Sequence, residues 1–81
     1  MSGPTVTVYT RAGCKLCAEA EEIVAAVAAG RASVERVDID AHPELTARYT
    51  VRVPVVAIDG VELFELQVDA DQLRGALAAR R

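Results

Sequence analysis

Two cysteines three residues apart are the side chains of this sequence that point most directly to chemistry. They form the motif Cys14-Lys15-Leu16-Cys17, placed where a strand-like segment gives way to a helical pattern. Residues three apart on a helix share a face, with Cβ atoms about 5–6 Å apart, and a disulfide joins Cα atoms about 4.4–6.8 Å apart. The spacing therefore allows the two thiols to form and break a disulfide within the chain.

The two cysteines hold unequal positions in the predicted helix. Cys14 stands at its N-terminus, where unpaired N–H groups and the positive end of the helix dipole stabilise a thiolate, and Arg11 and Lys15 add positive charge nearby. A free cysteine thiol has a pKa of about 8.5, and we expect Cys14 to be more acidic than that. Cys17 lies one turn further along and faces inward. We predict that Cys14 is the nucleophile and that Cys17 resolves a mixed disulfide.

The sequence leaves three alternative roles open for the cysteine pair. It can be an inert structural disulfide, although a reducing compartment and a very short loop count against one. It can be half of a zinc site, but zinc takes four ligands and the only other soft ligand is His42, so a second chain would be required. The two cysteines can also be three residues apart by chance, but their position at the start of a helix counts against chance. We expect no metal.

Composition limits the classes of function that the chain can serve. With 81 residues, 52% of them hydrophobic, it has room for one domain over residues 1–81. Nine basic and 12 acidic residues give a net charge of −3, and without a basic block we expect no nucleic-acid partner. Residues 1–5 lack the features of a signal peptide, and the uncharged residues 23–30 are too few to span a bilayer. We expect a cytoplasmic monomer without a membrane partner.

The hydrophobic pattern predicts four strands and three helices in the order β-α-β-α-β-β-α. Strand-like segments cover residues 5–9, 33–39, 54–58 and 61–66. Helical segments cover residues 14–29, a short stretch from Pro43, and a stretch after Asp69 or Asp71, either of which can cap it. On the first helix, apolar residues fall on one face that we expect to be buried, namely Leu16, Ala20, Ile23, Val24 and Val27.

The order of these elements predicts how the sheet is built. A β-α-β start implies parallel strands joined by a right-handed crossover. Asp59-Gly60 is a strong signal for a two-residue hairpin, which adds antiparallel strands to the same sheet. We therefore predict an α/β fold, with a four-stranded mixed sheet and helices on both faces.

Over nearly its whole length the sequence resembles the glutaredoxins. The likeness is carried by residues 8–17, by Val37-Asp38-Ile39-Asp40, by Arg52-Val53-Pro54-Val55-Val56 and by the Asp59-Gly60 hairpin. The resemblance implies a thioredoxin-like (glutaredoxin-like) fold and a thiol–disulfide oxidoreductase or electron carrier. It also implies a cis peptide bond between Val53 and Pro54, beside Cys14.

The resemblance further implies how a substrate is held. The backbone of Val53 next to Pro54 would pair with an extended substrate, as an added strand does. Apart from the resemblance, Arg11 and Arg52 can flank the cysteine near Lys15 and attract an acidic substrate, or they can be solvated loop charges. Asp69 can present a helix N-terminus to a carboxylate. We expect a disulfide-bearing protein or small molecule as substrate, a reductase or glutathione as electron donor, and no bound cofactor.

Two positions depart from the glutaredoxin pattern. Lys15-Leu16 replaces the usual Pro-Tyr between the cysteines, and Leu66-Gln67 stands where a Gly-Gly pair helps to cradle glutathione. Because side chains restrict the close approach that glycine permits, we expect weak glutathione binding. The alternative class of function is a binding module that keeps the fold without efficient redox turnover. The intact cysteine pair favours the oxidoreductase.

Overall fold

The computed structural model describes residues 3–80, and the predicted elements occur there in the predicted order. Their bounds are β1 Thr5–Thr10, α1 Lys15–Ala28, β2 Ser33–Asp38, α2 Pro43–Tyr49, β3 Val55–Ile58, β4 Val61–Glu65 and α3 Ala70–Ala78. A 3-10 turn, Ile39–Ala41, lies between β2 and α2. Predicted ends that differ do so by one residue. Thr10 belongs to β1 instead of the following loop, Ile39 begins the turn instead of ending β2, and α1, β3 and β4 lack the predicted end residues Cys14, Ala29, Pro54 and Leu66.

The four strands form one mixed sheet in the order β2-β1-β3-β4. β1 pairs with β2 in parallel and with β3 antiparallel, and β3 pairs antiparallel with β4. The predicted sheet is therefore confirmed. Because β1 and β2 are parallel, the residues that follow each of them emerge at the same edge of the sheet.

Both faces of the sheet carry helices, as predicted. One face packs against α1 and α3 in a core of Val6, Val8, Val24, Val27, Val56, Ile58, Leu73 and Leu77. The other face packs against the 3-10 turn and α2. The smaller cluster there consists of Cys17, Ile39, Tyr49, Val53 and Val55, to which α1 contributes Cys17 from its first turn. Successive strand residues point to opposite faces, which is why the neighbours Val55 and Val56 lie in different clusters.

The buried stripe of α1 begins one residue later than predicted. Cys17, Ala20 and Val24 are buried, whereas Leu16 is 37% exposed. At 3.6 residues per turn, Leu16 sits about 100° around the helix from Cys17, so the expectation that it is buried was wrong. No helix within residues 3–80 is long and apolar enough to cross a membrane.

A pair of leucine substitutions tests this division between core and surface. Leu73 is fully buried and Leu63 is 40% exposed. We expect Leu73→Ala to lower the free energy of unfolding by about 2–5 kcal/mol, because it leaves a cavity. Leu63→Ala is expected to lower it by less than about 1 kcal/mol. Urea unfolding followed by circular dichroism measures both, and equal losses would contradict this packing.

Candidate active site

The first cysteine caps helix α1. Cys14 has an extended backbone, with φ −99° and ψ 111°, and its sulfur accepts a hydrogen bond of 3.1 Å from the Cys17 N–H. Gly13 precedes it with φ +76°, a left-handed conformation that glycine adopts without steric cost. The first turn of α1 contains no acidic residue. The positive end of the helix therefore faces the Cys14 sulfur without a competing carboxylate in that turn.

The two sulfurs are joined, and they differ in accessibility. Cys14 and Cys17 form a disulfide with their Cα atoms 5.2 Å apart. Cys14 is half-buried, whereas Cys17 is 1% exposed within the smaller cluster. An incoming sulfur can therefore reach Cys14 but not Cys17. The division of roles, in which Cys14 reacts first, stays a prediction.

The segment before β3 lies beside the cysteines. The Val53–Pro54 peptide bond is cis, and Cys14 packs against the cluster that contains Val53. Val53 precedes the paired residues of β3, which begin at Val55. The Leu66 N–H donates to the Pro54 carbonyl at 2.8 Å, and this bond holds the end of β4 against the same segment.

Arg11 is tied to neighbouring segments of the protein. Its guanidinium donates to both carboxylate oxygens of Asp40, at 2.8 and 3.2 Å, and to the Thr50 carbonyl at 3.2 Å. A bidentate pair of this kind fixes geometry as well as charge. It links the loop after β1 to the 3-10 turn and to the end of α2, and it neutralises the Arg11 cation.

Arg52 is held in a second ion-pair network. It donates to Glu62 and Glu65, each at 2.9 Å, and its guanidinium lies 5.2 Å from the centre of the Tyr49 ring. Tyr49 also donates its hydroxyl to Glu62 and stacks on Tyr9 with the ring centres 4.8 Å apart. Arg52, which immediately precedes Val53, is thus anchored to β4.

This network shifts the ionisation of its members. Hydrogen bonds from Tyr49 and then Arg52 hold the pKa of Glu62 below its usual value. Burial, and then the bond to Glu62, raises the pKa of Tyr49. The bonds to Glu62 and Glu65 raise the pKa of Arg52. Glu62 is therefore a stable carboxylate at neutral pH, shared by two donors.

The other predicted site residues fall in different settings. Lys15 is the exposed first residue of α1, beside Cys14, and takes part in none of the ion pairs among residues 3–80. Asp69 caps α3, accepting the Gln72 N–H at 2.9 Å, as predicted. His42 is exposed and makes no side-chain cap to α2. Among residues 3–80, no three His, Cys, Asp or Glu side chains are grouped to hold a metal ion.

Sequence reasoning missed the partners of the two arginines. Arg11 follows β1 and Asp40 follows β2, so the parallel pairing alone would have indicated that they meet at one edge of the sheet. Glu62 and Glu65 carried no comparable signal. In a regular strand, residues three apart point to opposite faces, and an irregularity opposite Val56 and Ala57 turns both carboxylates towards Arg52.

Comparison with known proteins places this geometry in a family. Residues 5–78 match the family described as Glutaredoxin-like domain (DUF836). The chain belongs to this family. An uncharacterized protein of Mycobacterium tuberculosis is 34% identical over 84 residues, spanning 96% of this chain and 87% of the relative. The family assignment confirms the resemblance seen in the sequence.

Solved structures give the same fold. A structural-genomics target from X. campestris is 38% identical, with a TM-score of 0.77 over 94% of this chain and 99% of its own. A thioredoxin mutant from Halobacterium salinarum is 25% identical, with a TM-score of 0.73 over 98% of this chain and 75% of its own. The fold is thioredoxin-like, and together with the Cys14–Cys17 pair it supports a general role in thiol redox chemistry.

Within this glutaredoxin-like chain, the loop after β4 has an unusual backbone. Leu66 has φ +72°, a left-handed conformation that costs a residue with a side chain roughly 1–2 kcal/mol. A glycine would fit this backbone without that cost. The glycine pair of glutaredoxins is thus missing at a position whose backbone suits glycine, and Leu66 instead presents a 43% exposed side chain.

The lowered pKa of Glu62 predicts an acid-dependent contribution to stability. Such a contribution is complete above the ordinary glutamate pKa of 4.5 and disappears as pH falls through the lower pKa of the folded state. We therefore expect Glu62→Gln to be less stable than the wild type at pH 7, with the difference narrowing below pH 4.5. Urea unfolding across pH measures this. Glu35→Gln, an exposed control outside the network, should show no such convergence, and a constant difference for Glu62→Gln would refute the network's role.

Proposed function

We propose that this chain is a thiol–disulfide oxidoreductase that reduces disulfides through Cys14 and Cys17. One observation carries the proposal: the accessible Cys14 sulfur caps a helix and accepts the Cys17 N–H, while the Cys17 sulfur is buried beside it. A helix N-terminus favours the thiolate, which is the reactive form of cysteine. The arrangement supplies a nucleophile and a protected second thiol within bonding reach.

The reaction balances as two thiol–disulfide exchanges. The Cys14 thiolate attacks one sulfur of the substrate disulfide, the substrate S–S bond breaks, and the other substrate sulfur leaves as a thiolate. Cys17 then loses its proton and attacks the Cys14 sulfur. The second substrate sulfur then leaves, and each released substrate thiolate takes up one proton, matching the two protons that the Cys14 and Cys17 thiols give up. The substrate gains two electrons and two protons, and the protein is left with the Cys14–Cys17 disulfide.

A further turnover needs two electrons from outside the chain. A dithiol reductase or two glutathione molecules can supply them by exchanging thiols with the Cys14–Cys17 disulfide. Each route again begins at Cys14, because Cys17 is only 1% exposed. We propose such a donor as a partner of this protein, with a disulfide-bearing protein or small molecule as the substrate.

The segment before β3 supports a strand-like docking of the substrate. Val53 lies outside the paired residues of the sheet and belongs to the cluster against which Cys14 packs. Its backbone is therefore suited to pair with an extended chain. Arg11 and Arg52 are engaged by carboxylates of the protein. In our proposal they hold the loops around the substrate, and Lys15 is the charge beside Cys14.

Two serine variants test the division of roles. Cys17→Ser should accumulate a mixed disulfide on Cys14, because nothing within the chain then resolves it. Cys14→Ser should react poorly with a model disulfide, because Cys17 is buried. Mass spectrometry before and after treatment with a small dithiol measures both. Equal reduction of the model disulfide by the two variants would contradict the assignment.

Glutathione is the weaker candidate for the electron donor. Its binding depends on a few well-placed polar groups, and Leu66 and Gln67 carry side chains where glutaredoxins have glycines. Losing two charge-assisted hydrogen bonds of about 1.5–3 kcal/mol each would weaken binding by roughly two to four orders of magnitude. We therefore propose that glutathione serves this protein poorly and that a reductase serves it better.

Restoring glycines tests that argument. We expect the double variant Leu66→Gly with Gln67→Gly to raise glutathione-dependent reduction of a small mixed disulfide at least about tenfold, because one recovered hydrogen bond is worth that much. A coupled assay with glutathione reductase measures it. Leu66→Ala is the matched control, since it keeps a Cβ on the left-handed backbone and should gain less. Wild-type activity equal to that of a glutaredoxin with the glycines would overturn the prediction.

A further inference from the structure

A small groove lies between α1 and the loop that joins β4 to α3. Its volume is about 160 Å³, and its walls are formed by Leu16, Glu19, Ala20, Ile23, Leu66, Gln67 and Val68. Leu16 stands between the two cysteines in the sequence, and the Leu66 N–H is bonded to the Pro54 carbonyl. The groove is therefore bordered by one residue of the cysteine motif and by one residue that is bonded to the segment before β3.

Two leucines on the walls of the groove are partly exposed. Leu16 is 37% exposed and Leu66 is 43% exposed. Leu66 lines the groove with a backbone φ of +72°. At that angle a residue with a side chain is strained. The volume of about 160 Å³ is below the usual range for a whole small-molecule ligand, about 300–1,000 Å³. The groove is thus sized for side chains of a longer molecule.

The wall of the groove carries one unbalanced negative charge. Glu19 is exposed and takes part in none of the ion pairs among residues 3–80. Two residues along the same helix, Glu21 is paired with Arg36 at 3.1 Å. Like charges facing each other across an interface disfavour binding, and opposite charges favour it. Glu19 therefore disfavours a ligand whose carboxylate enters the groove and favours one that brings a cation.

We propose that this groove binds a polypeptide segment next to the substrate disulfide, with an aliphatic side chain against Leu16 and Leu66 and a lysine or arginine on Glu19. The proposal rests on the oxidoreductase function given above and names its substrate class. Glu19 then determines specificity without touching the reacting sulfurs. Glutathione, with two carboxylates and no long cationic side chain, lacks the chemistry that the groove recognises.

A pair of peptides tests the role of Glu19. Both contain one disulfide and a neighbouring leucine, and they differ in a single flanking residue, lysine in one and glutamate in the other. We expect the wild type to reduce the lysine peptide with the higher kcat/KM. Glu19→Gln should lower this preference about two- to fivefold, as expected for one exposed ion pair. Glu19→Lys should reverse it, and the control Glu35→Gln, on β2, should leave it unchanged.

A binding measurement separates failure of the groove from failure of the redox function. Redox-inert versions of both peptides, with serine in place of cysteine, are titrated into the wild type and Glu19→Lys while amide NMR shifts are followed. Reduction of both peptides with a preference that Glu19→Lys does not alter overturns the groove proposal and leaves the oxidoreductase intact. Charge-selective binding without reduction supports the groove and overturns the oxidoreductase. If the protein neither reduces the peptides nor binds them charge-selectively, both the groove proposal and the oxidoreductase proposal are overturned.

Discussion

The hydrogen bond from the Cys17 N–H to the Cys14 sulfur couples the chemistry of this chain to its fold. The bond exists because β1 ends at Thr10 and Gly13 turns the chain, so that α1 begins directly after Cys14. The same helix start buries Cys17 one turn later. One local geometry thereby directs the N-terminus of α1 at the first sulfur and buries the second cysteine beside it.

Charges around the cysteines are arranged less simply than their positions in the sequence indicate. Arg11 and Arg52 are each matched by carboxylates of the protein, so their main physical effect is to hold the loops after β1 and before β3. The positive influence on Cys14 then comes from the helix end and from Lys15. Glu19 contributes the opposite sign in the groove.

The fold is shared with thioredoxins, and one loop of this chain has an unusual backbone. Leu66 occupies a left-handed backbone position that suits glycine, and it borders both the Pro54 segment and the groove. A scaffold that keeps its helix-capping cysteine can change substrates by altering one such loop, because the sulfur chemistry does not depend on it. Membership of the glutaredoxin-like family therefore establishes the scaffold without specifying the substrate.

Sequence by itself determined the elements, their order, the mixed sheet and the cysteine pair, because these follow from local periodicity, turn residues and short spacing. It located the ends of the four strands and of α1 to within one residue. It failed where a side chain's direction depends on packing: Leu16 falls outside the buried stripe of α1. Only the tertiary structure decided that Glu62 and Glu65 point to the same arginine, because a strand irregularity shifts the two-residue alternation on which sequence patterns rest.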